Sequence, residues 1–377
     1  MAYLDHNATS PLRPEARAAM EYAFALGGNP SSVHGAGRAA RAIIERARDQ
    51  VATLAGARAQ DVTFTSGGTE ANALALWGAV QGAAEAGQRI TRLFVCAIEH
   101  NSVLANATAI AERIPGIRLE IIPVTTDGTV DLEALRVMLR EGKGRVLAAV
   151  AAANNETGVL QPLAEIRKLL KEHDAYLLVD AVQAAGKIAL NASLSDYLSL
   201  SAHKLGGPQG SGALIVREGA PLAAMMLGGG HERGHRAGTE NVSGIAGFGA
   251  AAAAATAPSS ALRDRFESEL KAIAPDAVIF GADVPRLATT SNFALPGIAA
   301  GTAMMALDLD GVMVSSGSAC SSGKVKSSHV LRAMGVSDDL AGSALRVSFG
   351  WNSTDADVGA AIASISKLLA RVAQKAA

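Results

Sequence analysis

Cysteine is almost missing from this chain. Only two occur in 377 residues, Cys96 and Cys320. Two thiols do not make a disulfide framework, so both are expected to be reduced, in a cytosolic compartment. Net charge is nearly absent too. At −1 it removes the usual electrostatic argument for nucleic acid as the main partner. The N-terminus, "MAYLDHNATSPLRPE", has no basic region followed by an apolar stretch and does not read as a signal peptide. One stretch lacks charge altogether, "NVSGIAGFGAAAAAATAPSSAL" from Asn241 to Leu262. It is mostly alanine and glycine and is interrupted by Pro258. Alanine gives helix propensity but little transfer energy, so a tightly packed internal helix is expected and no membrane span. No repeat of useful period is present.

What the chain does have is apolar material. At 49% hydrophobic and 18% charged residues it can bury a substantial core. Its length suits one large α/β domain and a smaller one. Strand-like and helix-like segments alternate from about Val62 to Val216. "VTFT", "RLFVCAIE", "LEIIPV", "RVLAAVAAA", "AYLLVD", "YLSLSAH" and "GALIVR" form the strand series. Asp131 is the expected N-cap of "LEALRVMLRE". Continuous apolar strands alternating with helices predict a largely parallel sheet covered by helices. After Pro258 the pattern changes to a helix over 261–273, short strands near "AVIF", "TTSNFAL" and "LRVSF", and a last helix over 355–375. The expected division is a large domain over 15–257 and a small α+β domain from 258–377, joined by residues 1–14.

Polar residues gather where the strands end, which is where ligands sit in doubly wound sheets. "VTFTSGGTEAN" is strand, glycine turn and helix. Ser66, Gly67, Gly68 and Thr69 read equally as a phosphate cradle at a helix N-terminus or as a tight turn capped by Thr69. Asp180 ends a buried strand, with Gln183 close behind. A buried carboxylate needs a partner, and a cap or a structural ion pair would also explain it. Ser201, His203 and Lys204 end another strand just before Gly206 and Gly207. A lysine there suits an amine with a lowered pKa, and three polar residues in four before glycines favour that over a merely solvated strand terminus. Together these pieces match what pyridoxal phosphate requires: a Schiff-base lysine, a carboxylate for the ring nitrogen and a phosphate cup. His100, ending "VCAIEH", is the candidate base or stacking group.

The chain resembles the cysteine desulfurases of the NifS/IscS type, in the fold-type-I, class V aminotransferase family of pyridoxal-phosphate enzymes. The resemblance runs nearly end to end, through "YLDHNAT", "NPSSVH", "FTSGGTEAN", "NNETGVLQP", "DAVQAAGK", "SAHKLGGPQGSG", "GGGHERGHRAGTEN", "SSGSACSSG", "SHVLRAMG" and "LRVSFG". It implies that Lys204 holds the cofactor, Asp180 pairs with the ring nitrogen and Gln183 bonds the ring oxygen. It further implies that His100 stacks on the ring and that Gly68, Thr69, Ser201 and His203 hold the phosphate. Asn155 would lie beside substrate and cofactor, and Arg346 would clamp the substrate carboxylate, a task suited to a bidentate guanidinium. Thr239, in "RAGTEN", would reach the phosphate of a partner subunit, which implies a homodimer.

The resemblance also explains the lone loop cysteine. Cys320 would attack the sulfur of cofactor-bound L-cysteine, become a persulfide and release L-alanine. Its serine- and glycine-rich setting is that of the family's mobile-loop group, and Lys324 and Lys326 would lower the thiol pKa or meet an acidic partner. The sulfur would pass to an acceptor such as an iron–sulfur scaffold protein. The expected setting is cytoplasmic, with no nucleic acid or membrane partner. An aminotransferase or selenocysteine lyase on the same fold is the alternative. "HERGH", His231 to His235, matches a zinc-protease pattern, but that chemistry needs both histidines on one helix face, and the flanking glycines argue against helix. No metal is expected.

Overall fold

The computed structural model describes residues 1–316 and 328–376. Cys320, Lys324 and Lys326 lie outside them. The chain begins with β1 (Ala2–Tyr3) and two helices, Pro14–Leu26 and Gly35–Ala55. A seven-stranded sheet follows, built from β2 (Val62–Thr65), β3 (Ile90–Cys96), β4 (Arg118–Ile122), β5 (Arg145–Ala151), β6 (Tyr176–Asp180), β7 (Tyr197–Ser201) and β8 (Gly212–Val216). Its order is β2-β8-β7-β6-β5-β3-β4. Only β8 runs against the others, pairing antiparallel with both β7 and β2. The remaining strands therefore all end on the same edge. The helices between them cover both faces, as right-handed crossovers demand.

Alternation along each strand divides the core into two layers. On β3, Phe94 and Cys96 pack with Phe64, Val150 and Val179. Leu93 and Val95 face the opposite layer, with Leu147, Leu178 and Tyr197. Cys96 is fully buried, and burial pushes its thiol pKa up, as expected of an inert core cysteine. The alanine-rich stretch forms the helix Val242–Ala254, packed on the first two helices. Its glycines permit that closeness: a Cβ on Gly249 would lie 2.6 Å from the Ala47 backbone.

The second sheet is smaller. It comprises β9 (Val278–Ile279), β10 (Thr290–Ala294), β12 (Ser315–Ser316) and β13 (Ala344–Ser348), in the order β12-β13-β10-β9. The chain start joins this region, because β1 pairs in parallel with β11 (Val312–Met313). Helices Ala261–Ile273 and Asp355–Ala376 cover it, around Leu4, Phe266, Phe293 and Phe349. Among the described residues no helix is long and apolar enough to cross a membrane.

Candidate active site

A cavity of about 330 Å³ opens at the shared strand edge. Its wall includes Gly68, Thr69, His100, Asn155, Asp180, Gln183, Ser201, His203, Lys204 and Arg346. Of the described residues given a role at the site from the sequence, Ser66, Gly67 and Thr239 are not on this wall. The strands do the gathering: β6 ends on Asp180, β7 on Ser201, and a short 3-10 turn carries His203 and Lys204.

Asp180 is buried, and its partners are neutral rather than ionic. Asn72 Nδ2 donates to Oδ2 at 2.7 Å, and the Val182 backbone N–H donates to Oδ1 at 2.9 Å. Asn72 Nδ2 also donates to Ser102 Oγ at 3.0 Å, and Ser102 Oγ sits 2.8 Å from His100 Nδ1. The Ser102 backbone N–H points at the same ring nitrogen, at 3.1 Å. His100 Nδ1 is thus an acceptor, so the proton of the neutral ring sits on Nε2. Burial lowers the His100 pKa; Asp180 opposes that shift, while Lys204 and His329 add to it. Next to it, Glu99 is fully buried, and burial together with Asp180 pushes its carboxyl pKa well up. Glu99 is therefore held toward its neutral form.

Lys204 Nζ donates to the carbonyl oxygens of Asn7 at 2.6 Å and Ala8 at 2.8 Å. Both belong to the N-terminal segment, which sequence reasoning left without a role. The Asn7 carbonyl also accepts from Gln183 Nε2 at 2.9 Å. Asn7 itself is held by Ser348 Oγ, Thr290 Oγ1 and the Asn155 carbonyl. Arg346 donates from NH1 to the Asn155 carbonyl at 3.0 Å and from NH2 to Asp5 at 2.6 Å. Its Nε is buried without a partner among the described residues. His203 Nδ1 lies 3.2 Å from Thr9 Oγ1, and burial with the Lys204 charge holds its pKa down to about 4. It is therefore neutral at pH 7.

The glycine turn resolves one of the open readings. The helix Gly68–Glu85 begins after Gly67, and no side chain caps it. Thr69 is inside the helix and is not the cap. Gly67 has φ of +155°, and a Cβ on Gly68 would lie 2.7 Å from Val182 Cγ2. The first amide N–H groups of this helix are thus unblocked by side chains, the arrangement that receives an anion.

Thr239 lies elsewhere, on a cavity of about 230 Å³ with Ser66, Glu232 and Arg236. The neighbouring "HERGH" segment is not an α-helix. Glu232 and Arg233 have φ of +45° and +57°. His231 Nε2 faces Ser31 Oγ and His235 Nδ1 faces Thr63 Oγ1, so the two rings serve different partners. Glu232 is buried and committed, bonding Arg48 at 2.7 and 2.9 Å and the Phe64 N–H at 2.8 Å. No cluster of three or more metal-ligating side chains occurs among the described residues. Arg48→Ala would strand the buried Glu232 charge. It should cost about 3–5 kcal/mol, read as an earlier denaturation midpoint.

Ser328 and His329 meet the residues that follow β5 and β3. Ser328 Oγ donates to the buried Glu156 at 2.5 Å, and His329 Nε2 donates to the Glu99 carbonyl at 2.9 Å. Burial pushes Glu156 up to about 7.

The chain as a whole is similar to known proteins. The family model for Aminotransferase class-V matches residues 2–360. The chain is 42% identical to a cysteine desulfurase of Cereibacter sphaeroides, over 94% of this chain and 92% of that protein. It is 39% identical to the IscS-like cysteine desulfurase of Mycobacterium tuberculosis, over 100% and 98%. Its structure is similar to that of a NifS-like protein from Rickettsia africae, with a TM-score of 0.86 and 35% identity over 98% of this chain and 99% of that one. The chain therefore belongs to the aminotransferase class-V family.

Proposed function

We propose that this protein is a pyridoxal-phosphate-dependent cysteine desulfurase that converts L-cysteine to L-alanine and passes the sulfur on as a persulfide. The observation that carries this reading is one cavity wall holding Lys204, Asp180, Gln183 and an uncapped helix start, in a chain of this family. The residues fit the cofactor. The unblocked amides, with Thr69, Ser201 and His203, suit its phosphate; Asp180 suits its ring nitrogen; and Gln183 has a second amide hydrogen for its ring oxygen. The bound cofactor withdraws electrons from the substrate and so weakens the bonds to its α-carbon.

The chain supplies the rest. Lys204 attaches the cofactor and moves the Cα proton. His100 would stack on the ring, with Nε2–H as its donor. Arg346, oriented by Asp5 and Asn155, holds the substrate carboxylate. Cys320 then takes the sulfur. A bond forms between its sulfur and that of the substrate while the substrate's carbon–sulfur bond breaks. The electron pair stays with carbon, which is protonated to give alanine. Thiol plus cysteine gives persulfide plus alanine, with no external oxidant or reductant. Chain connectivity supports the assignment. Ser315 pairs with Arg346 across β12 and β13. Cys320 follows Ser316 by four residues, a reach of at most about 14 Å.

We further read the protein as a cytoplasmic homodimer that serves an acceptor such as an iron–sulfur scaffold protein, with Thr239 completing the partner's phosphate site. Met225, Met226 and Leu227 are exposed close to Thr239 in sequence and would be covered in such a dimer. The division into a large unit over 15–257 and a small one from 1–14 and 258–377 belongs to the same reading. The test is direct. The purified protein should be yellow and bleached by borohydride, and should release alanine and persulfide sulfur one for one from cysteine. A colourless protein that binds no added cofactor would sink the proposal.

A further inference from the structure

One polar side chain behind the cavity has no part in the reaction described so far. Lys187 Nζ donates to Asn7 Oδ1 at 2.8 Å and to Gln183 Oε1 at 3.1 Å. It lines a second cavity, of about 360 Å³, whose wall includes His6, Arg13 and Lys204 but no carboxylate. Burial, and the like charges of Lys204 and Arg346, bring its pKa down to about 7. The neighbouring His6 ring is held at about 4 by burial and by Lys187, which outweigh the opposing charge of Asp357, and is neutral. An amine in such a place is costly to keep, and no ion pair accounts for it.

The geometry accounts for it through Gln183. A primary amide has one accepting and one donating end, and only its neighbours decide which way it points. Here both ends are specified. Lys187 Nζ donates to Oε1 and so selects that end. The Asn7 carbonyl can only accept, so it selects Nε2, at 2.9 Å. A reversed amide would set oxygen against oxygen and N–H against ammonium. One Nε2 hydrogen is used by Asn7, and Gln183 lines the main cavity with the other unassigned. We propose that Lys187 is a positioning residue that locks the Gln183 amide with an N–H toward the ring oxygen of the cofactor. This inference rests on the reading of Gln183 as the residue that meets that oxygen.

The experiment uses purified holoenzyme and reads cofactor affinity and the pH midpoint of its visible absorption, neither of which is turnover. Lys187→Met removes the donor. The dissociation constant for pyridoxal phosphate should rise about tenfold, the worth of one hydrogen bond. The pH midpoint should move up, because a ring oxygen that loses a donor becomes more basic. Lys187→Gln keeps a donor without the charge and should stay within about threefold of the parent. In a Gln183→Met background, Lys187→Met should add little, since the two residues act as one unit. If Gln183→Met shifts both readouts and Lys187→Met shifts neither, the inference alone is overturned. Equal effects of Lys187→Met and Lys187→Gln, or additive effects in the double variant, would overturn it too. If Gln183→Met changes nothing, the reading of Gln183 fails and the inference fails with it.

Discussion

Lys204→Ala should lose cysteine turnover by about 10⁴-fold or more, the upper end of what a single proton-transferring group supplies. The loss is large because Lys204 is asked to do two things, to attach the cofactor and to move the substrate's α-proton. Its Nζ rests on the carbonyls of Asn7 and Ala8, at the cavity wall, 2.6 and 2.8 Å away. Cofactor will still bind, through the helix start at Gly68 and the polar groups at the end of β7. Borohydride, however, should no longer fix it to the chain, and a peptide map should show no modified lysine. Lys187 is the built-in control. It is the other amine of this region, and its pKa is lowered to about 7, so it is reactive enough to be mistaken for the attachment point. Cofactor fixed on Lys187 in the parent protein, or turnover within tenfold of the parent in Lys204→Ala, would remove Lys204 from its assigned role.

Cys320→Ser separates the two halves of the reaction. Cofactor binding and the colour change on adding cysteine use no thiol and should persist. Sulfide release in the presence of a reductant should fall by about a thousandfold, because a hydroxyl is a poor nucleophile toward sulfur and cannot store it. The variant should also fail to label as a persulfide. Cys96→Ser is the matched comparison. Cys96 is fully buried in β3, so its replacement should cost about 1 kcal/mol of stability and leave sulfide release intact. Full activity in Cys320→Ser, or loss of the persulfide only in Cys96→Ser, would favour an aminotransferase or lyase.

The strand series was readable because each strand is short, apolar and bounded by turn residues. "VTFT" is β2 to the residue, Asp131 does cap its helix, accepting from Glu133 and Ala134, and the helix over 261–273 has those limits. The reversal of β8 was not readable. Parallel and antiparallel neighbours have the same apolar pattern, and only the connection decides. In the site, the legible residues were those at strand ends, where polarity follows an apolar run. Asn7, Asn72 and Ser102 went without a role for a physical reason. Ser102 sits in the first turn of the helix Asn101–Arg113, where a polar residue looks like an ordinary cap, and Asn72 is the fifth residue of its helix, where nothing in the pattern marks it. Asn7 acts through a backbone carbonyl, which no residue type announces. Thr69 was weighed as a helix cap and proved to be the second residue of its helix, because Gly67, unblocked, takes the cap position.

Asn7 has a consequence for how the protein is made. Its amide is held by Ser348, 341 residues away along the chain, and β1 waits on β11 for its only partner strand. The seven-stranded sheet can form on the ribosome once Val216 has emerged. By then the Asn7 carbonyl already has Gln183 and Lys204 as partners, but the contacts of Asn7 with Thr290 and Ser348 must wait until almost the whole chain has been synthesised. A nascent or prematurely ended chain would therefore present a folded sheet whose Lys204 seat lacks the clamp that Thr290 and Ser348 put on Asn7.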